Sequence, residues 1–137
     1  MNDLWRPSMT EKQINAMSAL ALAHIGDAVF ELLVRTQLCL SGGTTNSRLH
    51  QETVARVCAA AQARLAERLL PLLTERENAW YRRGRNVHPH TIPKSATPSQ
   101  YAKATGVEAL FGALYLHGEQ DRMIELFSAV TEENDAI

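Results

Sequence analysis

The chain's 137 residues are 45% apolar and 21% charged, a balance that suits one folded domain with a real core and excludes a disordered tail. Fourteen Lys and Arg against fifteen Asp and Glu leave a net charge of −1, which argues against a generic polycation. Seven Gly and five Pro exclude collagen-like and low-complexity architectures.

The first residues, Met1-Asn2-Asp3-Leu4-Trp5-Arg6-Pro7, lack the basic-then-apolar order of a secretory signal. Ser8 with Glu11 and Thr10 with Gln13 each fit a capping box, so a helix is expected to start near Thr10. A helical pattern runs on through Leu40, with a break before Ala16, until Gly42-Gly43 ends it. Its apolar stretch is interrupted by His24, Asp27 and Glu31, so it does not read as a membrane span. A second helix is predicted from about Asn46 to Leu70, where Pro71 kinks or ends it. Thr74 with Glu77 opens a third that continues to about Arg83. Residues 84–97 read as one irregular loop holding Pro89 and Pro93, and long loops in small domains are more often functional than accidental. Thr97 as cap and Pro98 at the first position begin a helix that runs to His117 and stops at Gly118. A last amphipathic helix follows over about 121–132. Strand signals are nearly missing, so the expectation is one all-α domain over 1–137, of five or six helices, without repeat or linker. Cys39 and Cys58 show no metal-ligand spacing and are expected to be buried and reduced. The protein is expected in the cytoplasm, without a membrane segment.

The near-zero net charge hides an asymmetry. Residues 1–78 balance, residues 79–107 carry Arg82, Arg83, Arg85, Lys94 and Lys103 with no acid, and residues 108–137 carry seven acids against Arg122 alone. The basic block, with His88 and His90 inside it, reads either as an anion-binding patch or as a solvated loop.

Two helices break their own rules. In Leu22-Ala23-His24-Ile25-Gly26-Asp27-Ala28-Val29-Phe30, a mid-helix glycine costs roughly 1 kcal/mol against Ala, and an aspartate in an apolar run needs a partner. Leu20, His24, Asp27 and Glu31 share one face by helical spacing. In Thr105-Gly106-Val107-Glu108-Ala109-Leu110-Phe111-Gly112, Glu108 sits between two glycines that let a neighbouring backbone come close. If the two helices pack together, Asp27 and Glu108 meet. Such a pair shares a proton, is bridged by a base, or holds a hard cation such as Mg²⁺.

Gly26-Asp27-Ala28-Val29-Phe30-Glu31, followed some eighty residues later by Val107-Glu108-Ala109-Leu110-Phe111-Gly112, resembles the two signature helices of ribonuclease III catalytic domains. Leu20-Ala21-Leu22-Ala23-His24-Ile25-Gly26-Asp27, Arg82-Arg83-Gly84-Arg85-Asn86 and Ala104-Thr105-Gly106-Val107-Glu108 resemble more closely the Mini-III branch, which consists of the catalytic domain alone. The resemblance implies an all-α, homodimeric ribonuclease III-like endonuclease domain of five to seven helices. It implies Mg²⁺-dependent cleavage of double-stranded RNA to 5′-phosphate and 3′-hydroxyl ends, with Asp27 and Glu108 as metal-binding catalytic carboxylates. It also implies maturation of 23S ribosomal RNA ends, with a ribosomal protein as a further partner. The alternative is a catalytically silent RNA-binding scaffold on the same fold.

The larger family's first signature reads Glu-Phe-Leu-Gly-Asp with another Glu three residues earlier; those Glu positions hold Ala23 and Leu20 here. Thr105 stands where the family places a further Asp. The carboxylate set is thus thinner, and the number of metals stays open between one and two. His24 falls at a dimer-interface position, and Glu31 reads as a metal assistant or as an Arg partner. Full-length relatives add a double-stranded-RNA-binding domain, which this chain is expected to lack. RNA contact is therefore expected from Arg82, Arg83, Arg85, Asn86, Lys94 and Lys103, with Gln100 and Tyr101 as polar neighbours. The acidic C-terminal segment is expected to lie away from the RNA.

Overall fold

Seven α-helices and a short 3₁₀ turn make up the computed structural model, which describes residues 3–42, 45–87, 91, 92 and 94–135. In chain order they are α1 (Glu11–Ala16), α2 (Ala19–Ser41), α3 (Asn46–Val57), α4 (Ala59–Leu69), the 3₁₀ turn Leu70–Leu72, α5 (Glu75–Arg85), α6 (Pro98–His117) and α7 (Gln120–Asp135). No strand occurs among the described residues. His88 and His90 lie outside them.

The helix starts are chemically determined. Thr10, Thr74 and Thr97 each accept from the backbone N–H three residues on, and Gln13, Glu77 and Gln100 reach back to close the capping box. Gly118, at φ 88°, ends α6 in the left-handed conformation that favours glycine. α6 is the hub: it packs against α1, α2, α4, α5 and α7. Every residue from Ala104 to Leu114 is buried except Glu108. A helix apolar all round belongs in the middle of a domain, and its single carboxylate is therefore the anomaly. Phe30 of α2 meets Phe111 and Phe127 edge-on at 5.6 and 5.7 Å, which joins α2, α6 and α7 in one core.

Three expectations are corrected. The single helix over 46–70 is two, because Cys58 is extended (ψ 158°) and serves as C-cap of α3 and N-cap of α4. α3 buries Thr53, whereas α4 buries Ala61, Gln62, Ala63, Leu65, Ala66 and Leu69; one straight rod would not aim both segments suitably. α5 continues past Arg83 through Gly84 to Arg85, and the glycine is there for packing on α6: a Cβ would lie 2.5 Å from the Thr105 carbonyl oxygen. Cys39 and Cys58 are exposed, at the outer end of α2 and at the α3–α4 corner, and not in the core.

A buried ion pair fastens α5 to α7. Glu77 is 1% exposed and accepts two 2.8 Å bonds from the Arg122 guanidinium, which also donates to the Leu72 carbonyl at 2.9 Å. Burial pushes the Glu77 carboxyl up, but hydrogen bonds from Arg122 and Thr74 outweigh it and hold the group below its ordinary value. Glu77→Gln is expected to cost about 2 kcal/mol, because it breaks a buried charge pair and leaves Arg122 only the exposed Glu125, 2.6 Å away, as an ionic partner among the described residues, and the urea midpoint reads the loss directly. A depressed carboxylate stabilises the fold above its unfolded pKa and loses that contribution as pH falls. The gap between wild type and Glu77→Gln should therefore narrow below about pH 4.5.

Candidate active site

Backbone contact between α2 and α6 creates the site. A Cβ on Gly26 would lie 1.6 Å from the Glu108 carbonyl oxygen, and one on Gly112 would lie 2.0 Å from the Leu22 carbonyl oxygen. The two helices thus touch main chain to main chain, one residue before Asp27 and at Glu108 itself. Asp27 sits on the exposed rim and Glu108 is half-buried below it.

The two carboxylates lie within hydrogen-bonding reach. Burial, then the Asp27 charge, then a hydrogen bond to Asp27 push the Glu108 carboxyl up to about 8. The opposing influence is Gln62 of α4, whose carboxamide Nε2 donates to Glu108 Oε2 at 3.4 Å. No cation is among the groups acting on Glu108. The groups acting on Glu108 are thus burial, a second acid and an amide, and the oxygen donor set fits a hard divalent ion. No group of three His, Cys, Asp or Glu converges among the described residues. Such an ion would thus draw two side-chain ligands from this chain and fill its shell with water.

The neighbouring positions have other duties. Glu31 pairs with Arg35 at 3.0 Å, one turn on. Thr105 is buried and donates to the Tyr101 carbonyl at 2.9 Å, a bond inside α6. Ala23 is buried, while Leu20 (57% exposed) and His24 open to solvent together on α2.

The basic block resolves into two kinds of side chain. Arg82, Arg85 and Lys94 are exposed and form no ion pair among the described residues. Arg83 is half-buried and donates to the Met17 carbonyl, at the turn between α1 and α2. Lys103 is bonded to Glu67 of α4. Asn86 and Arg85 join Ile92, Pro98 and Tyr101 in a shallow depression at the α5–α6 mouth. Gln62 was not foreseen; its signal is a lone polar residue in the run Ala59-Ala60-Ala61-Gln62-Ala63.

The Ribonuclease III domain model matches residues 20–119, which include α2 but for Ala19 and all of α6. Mini-ribonuclease 3 of Symbiobacterium thermophilum is 44% identical over 113 residues, 82% of this chain and 87% of that protein. Mini-ribonuclease 3 of Gloeobacter violaceus is 47% identical over 115 residues, 84% and 83% of the two chains. A crystal structure of a Fusobacterium nucleatum protein superposes with a TM-score of 0.79 at 30% identity, covering 88% of this chain and 97% of that one. The carboxylate-bearing pair of helices is thus carried on a known nuclease scaffold: the chain belongs to the ribonuclease III family, in its Mini-ribonuclease 3 branch, and is an endoribonuclease.

Proposed function

We propose that Asp27 and Glu108 hold Mg²⁺ and that the protein hydrolyses double-stranded RNA to 5′-phosphate and 3′-hydroxyl ends. The observation that carries this reading is the pairing of half-buried Glu108 with Asp27 where α2 and α6 meet backbone to backbone. Bound there, the cation supplies Lewis-acid activation of water and stabilisation of the leaving oxygen. Asp27 on the rim faces the approaching backbone, and half-buried Glu108 anchors the site from below. Gly26 and Gly112 fix the distance between them.

RNA is gripped by Arg82, Arg85 and Lys94, whose charges are free to meet phosphates, with Asn86 and Tyr101 beside them. Arg83 and Lys103 add less, since each already has an internal partner. Recognition rests on the shape of the A-form duplex and its 2′-hydroxyls. The exposed Leu20–His24 face of α2 forms the homodimer contact, which gives two sites for the two strands. Membership in the Mini-ribonuclease 3 branch supports a cytoplasmic task in maturing 23S ribosomal RNA ends, with a ribosomal protein as helper. Cutting of a blunt duplex but not of its separated strands tests the substrate class; equal cutting of both would reject it.

Neutralising Arg82, Arg85 and Lys94 together is expected to flatten the dependence of log affinity on log salt. Each lost phosphate contact removes about 0.7–0.9 of slope. Replacing Lys103 alone should change it by much less. Filter binding across a salt series makes the comparison, and an unchanged slope in the triple variant would remove these side chains from the interface.

A further inference from the structure

Gln62 is 2% exposed in the middle of the apolar face of α4. Its position follows from the break at Cys58. The turn there leaves the Val57 carbonyl at the end of α3 without the next turn of helix, and Gln62 Nε2 donates to it at 2.8 Å. The same nitrogen carries a second hydrogen, and Glu108 Oε2 lies 3.4 Å away. The carboxamide oxygen, Oε1, is buried with no hydrogen-bond partner among the described residues. A buried acceptor left unsatisfied is costly, and such atoms concentrate where a ligand or water completes the set. One side chain thus ties the end of α3 and the start of α4 to the carboxylate of α6.

The geometry points to Gln62 as a positioning residue for Glu108: it fixes the carboxylate's orientation toward Asp27 and so sets the affinity of the pair for Mg²⁺. The inference rests on the reading of Asp27 and Glu108 as metal ligands. An amide suits this place better than a cation, because it orients Glu108 without neutralising the charge the metal needs. It suits it better than an apolar residue, which would leave Glu108 free to turn. Groups that orient a metal's ligands typically contribute 10–100-fold in affinity or activity.

Thermal melts of the full chain across a Mg²⁺ titration, beginning in EDTA, test this. Q62M keeps length and volume but donates nothing, and it should need at least tenfold more Mg²⁺ for half-maximal stabilisation. Its kcat on duplex RNA should fall while KM stays near wild type. Q62E brings a third carboxylate, so it should melt lower in EDTA yet gain more from Mg²⁺ than wild type does. If Gln62 merely caps Val57, both variants lose the same number of degrees with and without Mg²⁺. A half-saturating Mg²⁺ concentration for Q62M within twofold of wild type overturns the proposal. Should Q62M not fold, Q62E decides, and a Mg²⁺ gain equal to wild type's overturns it. Wild type that gains nothing from Mg²⁺ would overturn the metal site together with this role for Gln62.

Discussion

Asp27→Asn and Glu108→Gln, made separately, are expected to lower duplex cleavage by a factor on the order of 10³ or more, about 4 kcal/mol of transition-state stabilisation, while both proteins stay folded. In EDTA burial and the Asp27 charge both oppose a charge on Glu108, so Glu108→Gln removes the opposed charge and Asp27→Asn removes one of the two opposing influences. Each variant should therefore melt at or above the wild-type temperature in EDTA and gain little from Mg²⁺, whereas wild type should rise. An acid whose folded pKa is raised stabilises the fold when protonated and loses that contribution as pH climbs. In EDTA, wild-type stability should thus decline between about pH 4.5 and pH 8, and Glu108→Gln should lack that decline. Either variant cleaving at the wild-type rate while folded would show that its carboxylate is dispensable.

Gly26→Ala is the largest stability change expected from a single methyl group. The added carbon would sit 1.6 Å from the Glu108 carbonyl oxygen, 2.6 Å from its carbonyl carbon and 2.8 Å from the Gly112 nitrogen. All three are backbone atoms, so no side chain can swing away, and α2 and α6 must separate along the core. A loss exceeding about 3 kcal/mol is expected, a melting point lower by roughly 10 °C. Cleavage should fall as well, because the same displacement parts Asp27 from Glu108. Gly42→Ala is the control. Among the described residues an added Cβ there would meet nothing within 4 Å, and only the backbone conformation, with φ 74°, opposes a side chain. Its cost should be about 1–3 kcal/mol, since φ 74° with ψ 171° is a backbone conformation that glycine alone adopts readily, without loss of activity per folded molecule. Wild-type stability in Gly26→Ala would contradict the close helix contact on which the site depends.

Helix starts were readable because capping is local: Thr10, Thr74 and Thr97 each carry their partner three residues on, and Pro98 marks a first turn. The carboxylates were readable for the opposite reason. Asp27 and Glu108 violate the pattern of their own helices, and such violations gather at functional sites. What escaped depends on partners distant in sequence. Nothing around Cys58 breaks a helix locally; the turn there serves the packing of α4 on α6. Gly84 looks like a helix stop until Thr105 is seen to need its missing side chain. Counting charges within residues 79–107 overstated the free cations, because Glu67 and the Met17 carbonyl, which occupy Lys103 and Arg83, lie outside that window. Gln62 acquires meaning only when α4 is placed against α6.

The central claim is metal-dependent hydrolysis at the Asp27–Glu108 pair, and one reaction tests it most directly. Purified protein stripped with EDTA is given a 5′-labelled blunt RNA duplex, Mg²⁺ is then restored, and the new ends are characterised. The prediction is no cutting in EDTA, cutting on addition of Mg²⁺, and products that carry 5′-phosphate and 3′-hydroxyl ends. Cutting that persists in EDTA, or 2′,3′-cyclic phosphate ends from attack by the RNA's own hydroxyl, would contradict the account.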